Sequence, residues 1–129
     1  MRLDRLRDLC LALPETTEGL PFGPDPLVFK VAGKMFALLS LDTIPNRVGL
    51  KCDPDWALTL REEYDGIGTS PYLHKRLWNS VTLDGSVPSA LVRDLVEHSY
   101  RQVVAGLKKA DRLRIEAAEG YPAASSEYG

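Results

Sequence analysis

Apolar residues are densest between Leu27 and Leu41, LVFKVAGKMFALLSL, and there they alternate with their neighbours. Side chains point to opposite faces in turn along a strand, so Leu27, Phe29 and Val31 share one face while Val28 and Lys30 share the other. Beyond Ala32-Gly33-Lys34, Met35, Ala37, Leu39 and Leu41 form one row and Phe36, Leu38 and Ser40 the opposite one. Two strands joined by a tight turn are predicted, with Gly33 supplying the positive φ. The second strand is apolar on both faces, which places it centrally in a sheet that is covered at least in part on both sides.

On either side the period changes. Leu3, Leu6, Cys10 and Leu13 follow the three-four spacing of a helix over residues 2–13, which Pro14 ends. Thr16 to Phe22 read as extended, and Gly23-Pro24-Asp25-Pro26 is a turn-rich run. After a loop at Ile44-Pro45-Asn46, Arg47 to Lys51 forms a short strand. Asp53 is placed to cap a helix whose first position is Pro54, with Trp56, Ala57, Leu60 and Tyr64 at helical spacing. Asp65-Gly66 stops it. Gly68 to Lys75 is irregular, and Leu77 to Leu83 is the last strand, with Leu77, Asn79, Val81 and Leu83 facing one way and Trp78, Ser80 and Thr82 the other.

The longest helix starts at Pro88 and runs to about Leu107. Its two apolar rows, Leu91, Leu95, Val103 and Leu107 beside Val92, Val96, Tyr100 and Val104, make a stripe wide enough to cover a sheet face. Gly106 is the expected C-cap. The order is helix, about four strands, helix, strand, helix. Short links between the strands favour an antiparallel sheet with the helices gathered on one face, an α+β sandwich of two layers. Residues 1–109 form the single domain. Residues 110–129 are an extension, partly helical over Asp111 to Glu119 and ending in a tail from Gly120 that has no core to join.

At 129 residues the chain is long enough to bury one core, and its charge is close to balanced, 16 basic against 18 acidic residues for a net −2. No global basic excess points to nucleic acid, so any such contact must be a local patch. The start, MRLDRLRDLCLALP, carries charge at helical spacing, unlike a signal peptide or a membrane span. Cys10 sits among leucines as a buried apolar residue. Two thiols, Cys10 and Cys52, fit a reducing cytoplasm at least as well as a bridge between them does. A soluble cytoplasmic protein is the expectation.

Signatures of catalysis are missing: there is no phosphate-cradling glycine loop, no dinucleotide fingerprint, and no HExxH or GxSxG. His74 and His98 have no Cys or His at ligand spacing, and His98 is expected at the surface or boundary of the long helix. Asp53 and Asp55 would suit a metal, but a helix cap needs the same residues. No catalytic residue, metal ligand or cofactor is therefore assigned. One stretch is rich in polar chemistry, Pro71-Tyr72-Leu73-His74-Lys75-Arg76-Leu77-Trp78-Asn79-Ser80. Lysine and arginine meet phosphate oxygens, and tyrosine or tryptophan stack on bases or pack under cations. The plainer alternative has Tyr72 and Trp78 anchoring a loop whose cations are merely solvated.

Phe22-Gly23 with Leu27 to Val31, Gly33 to Leu38, Leu50-Lys51-Cys52-Asp53-Pro54, His74 to Val81, and His98-Ser99-Tyr100 with Val103 to Leu107 together resemble the MmcQ/YjbR family. The blocks agree in order over about residues 5–110. The resemblance implies a CyaY-like fold and a "double wing" in which hairpins flanking a helix touch DNA. Carried onto this chain, the wings are the Ala32-Gly33-Lys34 turn and the run from His74 to Trp78. Lys34, Lys51, Lys75 and Arg76 would meet phosphates, with His74 beside them, Asn79 touching base or backbone, and Trp78 stacking or buried. The acidic ridge with which frataxin-like CyaY proteins hold iron is not matched, since the first helix sets Arg2, Arg5 and Arg7 against Asp4 and Asp8. The expected function is a non-enzymatic binding module for DNA. The alternative is a module for a protein partner or a small anionic ligand.

Overall fold

The computed structural model describes residues 1–123. The elements run α1 (Leu3–Leu11), β1 (Thr16–Gly19), β2 (Leu27–Val31), β3 (Lys34–Leu39), β4 (Arg47–Lys51), α2 (Pro54–Glu63), β5 (Ile67–Gly68), β6 (Trp78–Thr82), α3 (Ser89–Ala105) and α4 (Lys109–Glu116). All six strands join one antiparallel sheet in the order β1-β2-β3-β4-β6-β5. The helices pack on one side of it, as the two-layer α+β reading requires. Among the described residues, the two-residue β5 is the only strand missed in the sequence. It is too short to show alternation, and it forms because its neighbour β6 offers an open edge.

Local chemistry sets the boundaries. The Asp53 carboxylate accepts the N–H groups of Asp55 and Trp56 and so caps α2, with Pro54 at its first position. The turn between β2 and β3 holds Ala32 at φ 48° and Gly33 at φ 80°, the two positive values of the two-residue hairpin turn whose twist matches the strands. Gly33 takes this freely. Ala32 carries a Cβ into the left-handed region, at a cost of roughly 1 kcal/mol.

One face of the hairpin departs from strict alternation. Phe29 pairs with Ala37 but Lys30 pairs with Met35, so Phe36 is an extra residue, a β-bulge. The bulge turns Phe36 inward beside Ala37 and Leu39, all three buried, and swings Met35 to the other face. The row of Met35 with Ala37 and Leu39 is thereby corrected, because alternation presumes an unbroken ladder.

α3 is the roof. Val92, Leu95, Val96, Tyr100, Val103 and Val104 are buried in one core with Phe29, Val31, Phe36, Leu39, Val48, Leu50 and Val81. Each such side chain contributes about 1.5–3 kcal/mol on burial. The Tyr100 ring meets Phe36 edge-on at 5.3 Å and its hydroxyl donates to the Pro14 carbonyl at 2.6 Å, tying α3 to the end of the α1 segment. Where the β3–β4 ladder stops, the Ser99 hydroxyl accepts the Lys51 N–H at 2.8 Å and donates to the Phe36 carbonyl at 2.6 Å.

The extension joins this core too. Ile115 is fully buried, Tyr121 lies 5.8 Å from Tyr100, Pro122 is buried, and Arg114 binds Glu15 through both carboxylate oxygens. The helix expected over Asp111 to Glu119 is found as α4, and the expectation of a tail from Gly120 with no core to join is corrected for residues 120–123. A single buried isoleucine on a charged helix leaves too thin a stripe to read from periodicity. The rest of the expected tail, 124–129, lies outside the described residues.

Ser99→Ala should lower unfolding free energy by about 1–3 kcal/mol in urea titration, since it orphans both a buried carbonyl and an N–H. Ala32→Asn, a residue that tolerates the left-handed turn, should raise it by a few tenths to about 1 kcal/mol in the same measurement.

Candidate nucleic-acid interface

Paired strand residues point to the same face, so the register sorts the sheet's side chains into two sets. Phe29, Val31, Ala37, Leu39, Val48, Leu50, Asn79 and Val81 face the helices. Thr17, Gly19, Val28, Lys30, Met35, Leu38, Arg47, Gly49, Lys51, Gly68, Trp78, Ser80 and Thr82 face away. The charges divide with them. Lys30, Arg47 and Lys51 lie on the outer face, whereas the one carboxylate carried by a strand among the described residues, Glu18, points to the helix side and pairs with Arg7 of α1.

The loop from 69 to 77 crosses this outer face. Gly49 makes room for it: a Cβ there would stand 2.6 Å from Leu73 Cδ1 and 3.8 Å from the Leu38 Cβ. Leu73 therefore seats the loop, and Tyr72, His74, Lys75 and Arg76 around it are exposed, Tyr72 at 91 %. His74 Nδ1 accepts the Arg76 N–H at 3.2 Å, and the His74 carbonyl accepts from Trp78 N–H at 3.0 Å, closing the turn into β6. From the helix layer, Arg61 Nη1 donates to the Lys75 carbonyl at 2.8 Å. The loop's backbone is thus tied down while its cationic side chains stay in solvent.

Lys51, His74, Lys75, Arg76 and Trp78 come together at one end of the sheet. Lys51 pairs with Trp78 across β4 and β6, and both side chains are half-buried on the outer face. Lys34 is exposed at the same end, but it pairs with Val31 and so stands on the helix side, away from Lys51. Asn79 is 3 % exposed and faces the helices. Its Nδ2 donates to the Ala57 carbonyl of α2 at 3.2 Å, and its Oδ1 has no hydrogen-bond partner among the described residues. The expected ligand contact at Asn79 is corrected to a structural one, because alternation in β6 turns it inward. Lys30 and Arg47 were not singled out in the sequence. The signal for Lys30 was there, since alternation already set it opposite Phe29 and Val31.

Residues 11–102 match the family model YjbR. The chain belongs to the YjbR family. Among relatives of this YjbR chain, the uncharacterized protein YbdF of Escherichia coli O157:H7 is 39 % identical over 108 residues, covering 83 % of this chain and 88 % of YbdF. The uncharacterized protein YjbR of Escherichia coli strain K12 is 32 % identical over 106 residues, covering 81 % and 88 %. The crystal structure of Deinococcus radiodurans protein DR2400, with the family domain DUF419, matches at a TM-score of 0.84 and 35 % identity over 98 % of this chain and 94 % of that one. A crystal structure of a Pseudomonas syringae protein, 24 % identical, shares the fold at a TM-score of 0.67 over 77 % of this chain and 96 % of its own.

On the helix side of the sheet, the YjbR chain buries a thiol and an imidazole on either side of the α2 cap. His98 is 6 % exposed, which corrects its expected place at the surface or boundary of the helix. Its Nε2 accepts the Asp53 N–H at 3.0 Å, and its ring meets Trp56 edge-on at 4.7 Å. Burial, helped by Arg101 and opposed by Asp53, lowers its pKa to about 4, so it is neutral at pH 7. Burial also raises the Cys52 thiol to about 12, with Asp53 adding and Arg61 opposing, and burial alone takes Cys10 to about 12. Both cysteines are free. A protonated thiol is a poor nucleophile. No helix among the described residues is long and apolar enough to cross a membrane.

A base held neutral by folding binds fewer protons folded than unfolded. The stability His98 contributes is therefore complete above its ordinary pKa of 6.5 and is lost as pH falls through about 4. Urea titrations across that window should show a loss on the order of 3 kcal/mol. In His98→Gln this share should vanish, leaving the losses from Glu15, Glu18 and Asp84, which hydrogen bonds from Arg114, Arg7 and Ser86 hold below their ordinary values.

Proposed function

We propose that this YjbR protein is a non-enzymatic DNA-binding module whose outer sheet face, with the loop from 69 to 77, meets the phosphate backbone. The observation that carries the reading is the sidedness of charge. A chain of net −2 places Lys30, Arg47 and Lys51 on one face with no carboxylate among the outward strand residues, next to exposed Lys75 and Arg76. Arg47 and Lys51 stand about 13 Å apart along β4. Such an array neutralises several phosphates and releases their counterions, which is the main source of sequence-independent affinity.

A non-enzymatic role is supported by the chemistry of the buried Cys52 thiol and His98 imidazole. The Cys52 thiol is held protonated, and the His98 nitrogen that would serve as a base is already accepting a backbone N–H. The alternative of a small anionic ligand finds support in a different place. A groove of about 410 Å³ between α1 and the start of α3 is lined by Arg2, Arg5, Arg93 and Ser89. Arg2 and Arg93 there are already near Asp4 and Glu97, which weakens the field available to an anion.

Fluorescence anisotropy with labelled single- and double-stranded DNA tests the main reading. Affinity should fall steeply with added salt, and Lys75→Glu with Arg76→Glu should abolish binding while leaving the thermal transition in place. Binding unaltered by that double change would misplace the interface.

A further inference from the structure

Resting on that reading, we propose that the nucleic acid this face takes is a single strand of DNA, with Tyr72 as a stacking platform for a base. Three features of the face argue for it. Every helix among the described residues lies behind the sheet, so none of them stands beside the basic residues to enter a major groove. The β2–β3 hairpin cannot act as a projecting ribbon either, because β1 and β4 flank it on both sides. Duplex recognition by the usual elements has nothing to use here.

The floor of the face is apolar as well as basic. Half-buried Met35, Leu38 and Trp78 lie among Lys30 and Lys51, and a shallow hollow bordered by Leu20 and Pro21 of the β1–β2 loop opens beside Lys30, where Val28 is buried. A duplex offers such a floor only phosphates and sugar. A single strand offers phosphates together with the flat faces of its bases, which matches a surface mixing cations with apolar and aromatic groups.

The third feature is Tyr72 itself. A ring 91 % exposed at the tip of a loop seated by Leu73 and tied through Lys75 adds nothing to the core, yet it is held two residues from His74 and three from Lys75. Phe22, 64 % exposed, stands in the loop that borders the opposite side of the face. The two loops flank a strip whose outward strand charges, Lys30, Arg47 and Lys51, are all basic, with Glu18 at its β1 edge paired to Arg7, so a strand laid between them has its phosphates over these cations and bases within reach of a ring.

The test is anisotropy with a labelled oligothymidylate of about 15 nucleotides and a duplex of equal length, at about 50 mM and about 200 mM salt. The single strand should bind at least about tenfold tighter, Tyr72→Ala should weaken it by roughly five- to a hundredfold, and Tyr72→Phe should retain it. Tyr72 is outside the core, so the variants fold. A duplex bound as tightly or more tightly, or oligothymidylate binding indifferent to Tyr72→Ala, overturns this proposal while DNA binding stands. Binding of neither DNA overturns both.

Discussion

The fold depends on how α3 is fixed to the sheet at the β3 bulge. The extra residue in β3 takes the Phe36 carbonyl out of the ladder just where β4 runs past its last partner, leaving that carbonyl and the Lys51 N–H to be satisfied some other way. The Ser99 hydroxyl serves both. Buried backbone groups left unpaired are costly, so this one side chain sets the height and register at which the long helix lies on the sheet. Phe36, turned inward by the same bulge, meets Tyr100 one residue along. The irregularity in the strand and the roof above it are a single arrangement.

Docking all the helices on one face leaves the other face without a roof. An antiparallel sheet tolerates this when its second face is polar or small. Here Gly49, Ser80 and Thr82 are interspersed with lysines, and the loop from 69 to 77 partly covers the middle through Leu73. Lys51 belongs to both layers: its N–H anchors the roof while its side chain faces outward beside Trp78. The mechanical core and the candidate interface thus share a strand end, which holds the outward groups in fixed positions.

The buried ionisable groups act structurally. His98 accepts the Asp53 N–H at the point where Asp53 caps α2, so one imidazole on α3 fixes the start of a second helix. Neutrality suits that task, because a protonated imidazole has no lone pair to offer. The extension is part of the same structure. α4 lies along α3, and its Arg114 reaches back to Glu15 while Tyr121 covers Tyr100.

The sequence by itself determined the layers: the alternation of Leu27 to Leu41, the wide stripe of the long helix and the cap at Asp53 are local signals, written in neighbours a few residues apart. Family membership was equally legible, since it rests on ordered blocks of residues. What only tertiary structure decided was which way particular side chains face. The bulge at Phe36, the inward turn of Asn79, the separation of Lys34 from Lys51 and the burial of His98 all follow from pairing between segments far apart in the chain. A strand's faces alternate from wherever its register is set, and one inserted residue reverses every face beyond it. The basic face is accordingly visible only once the strands are laid side by side.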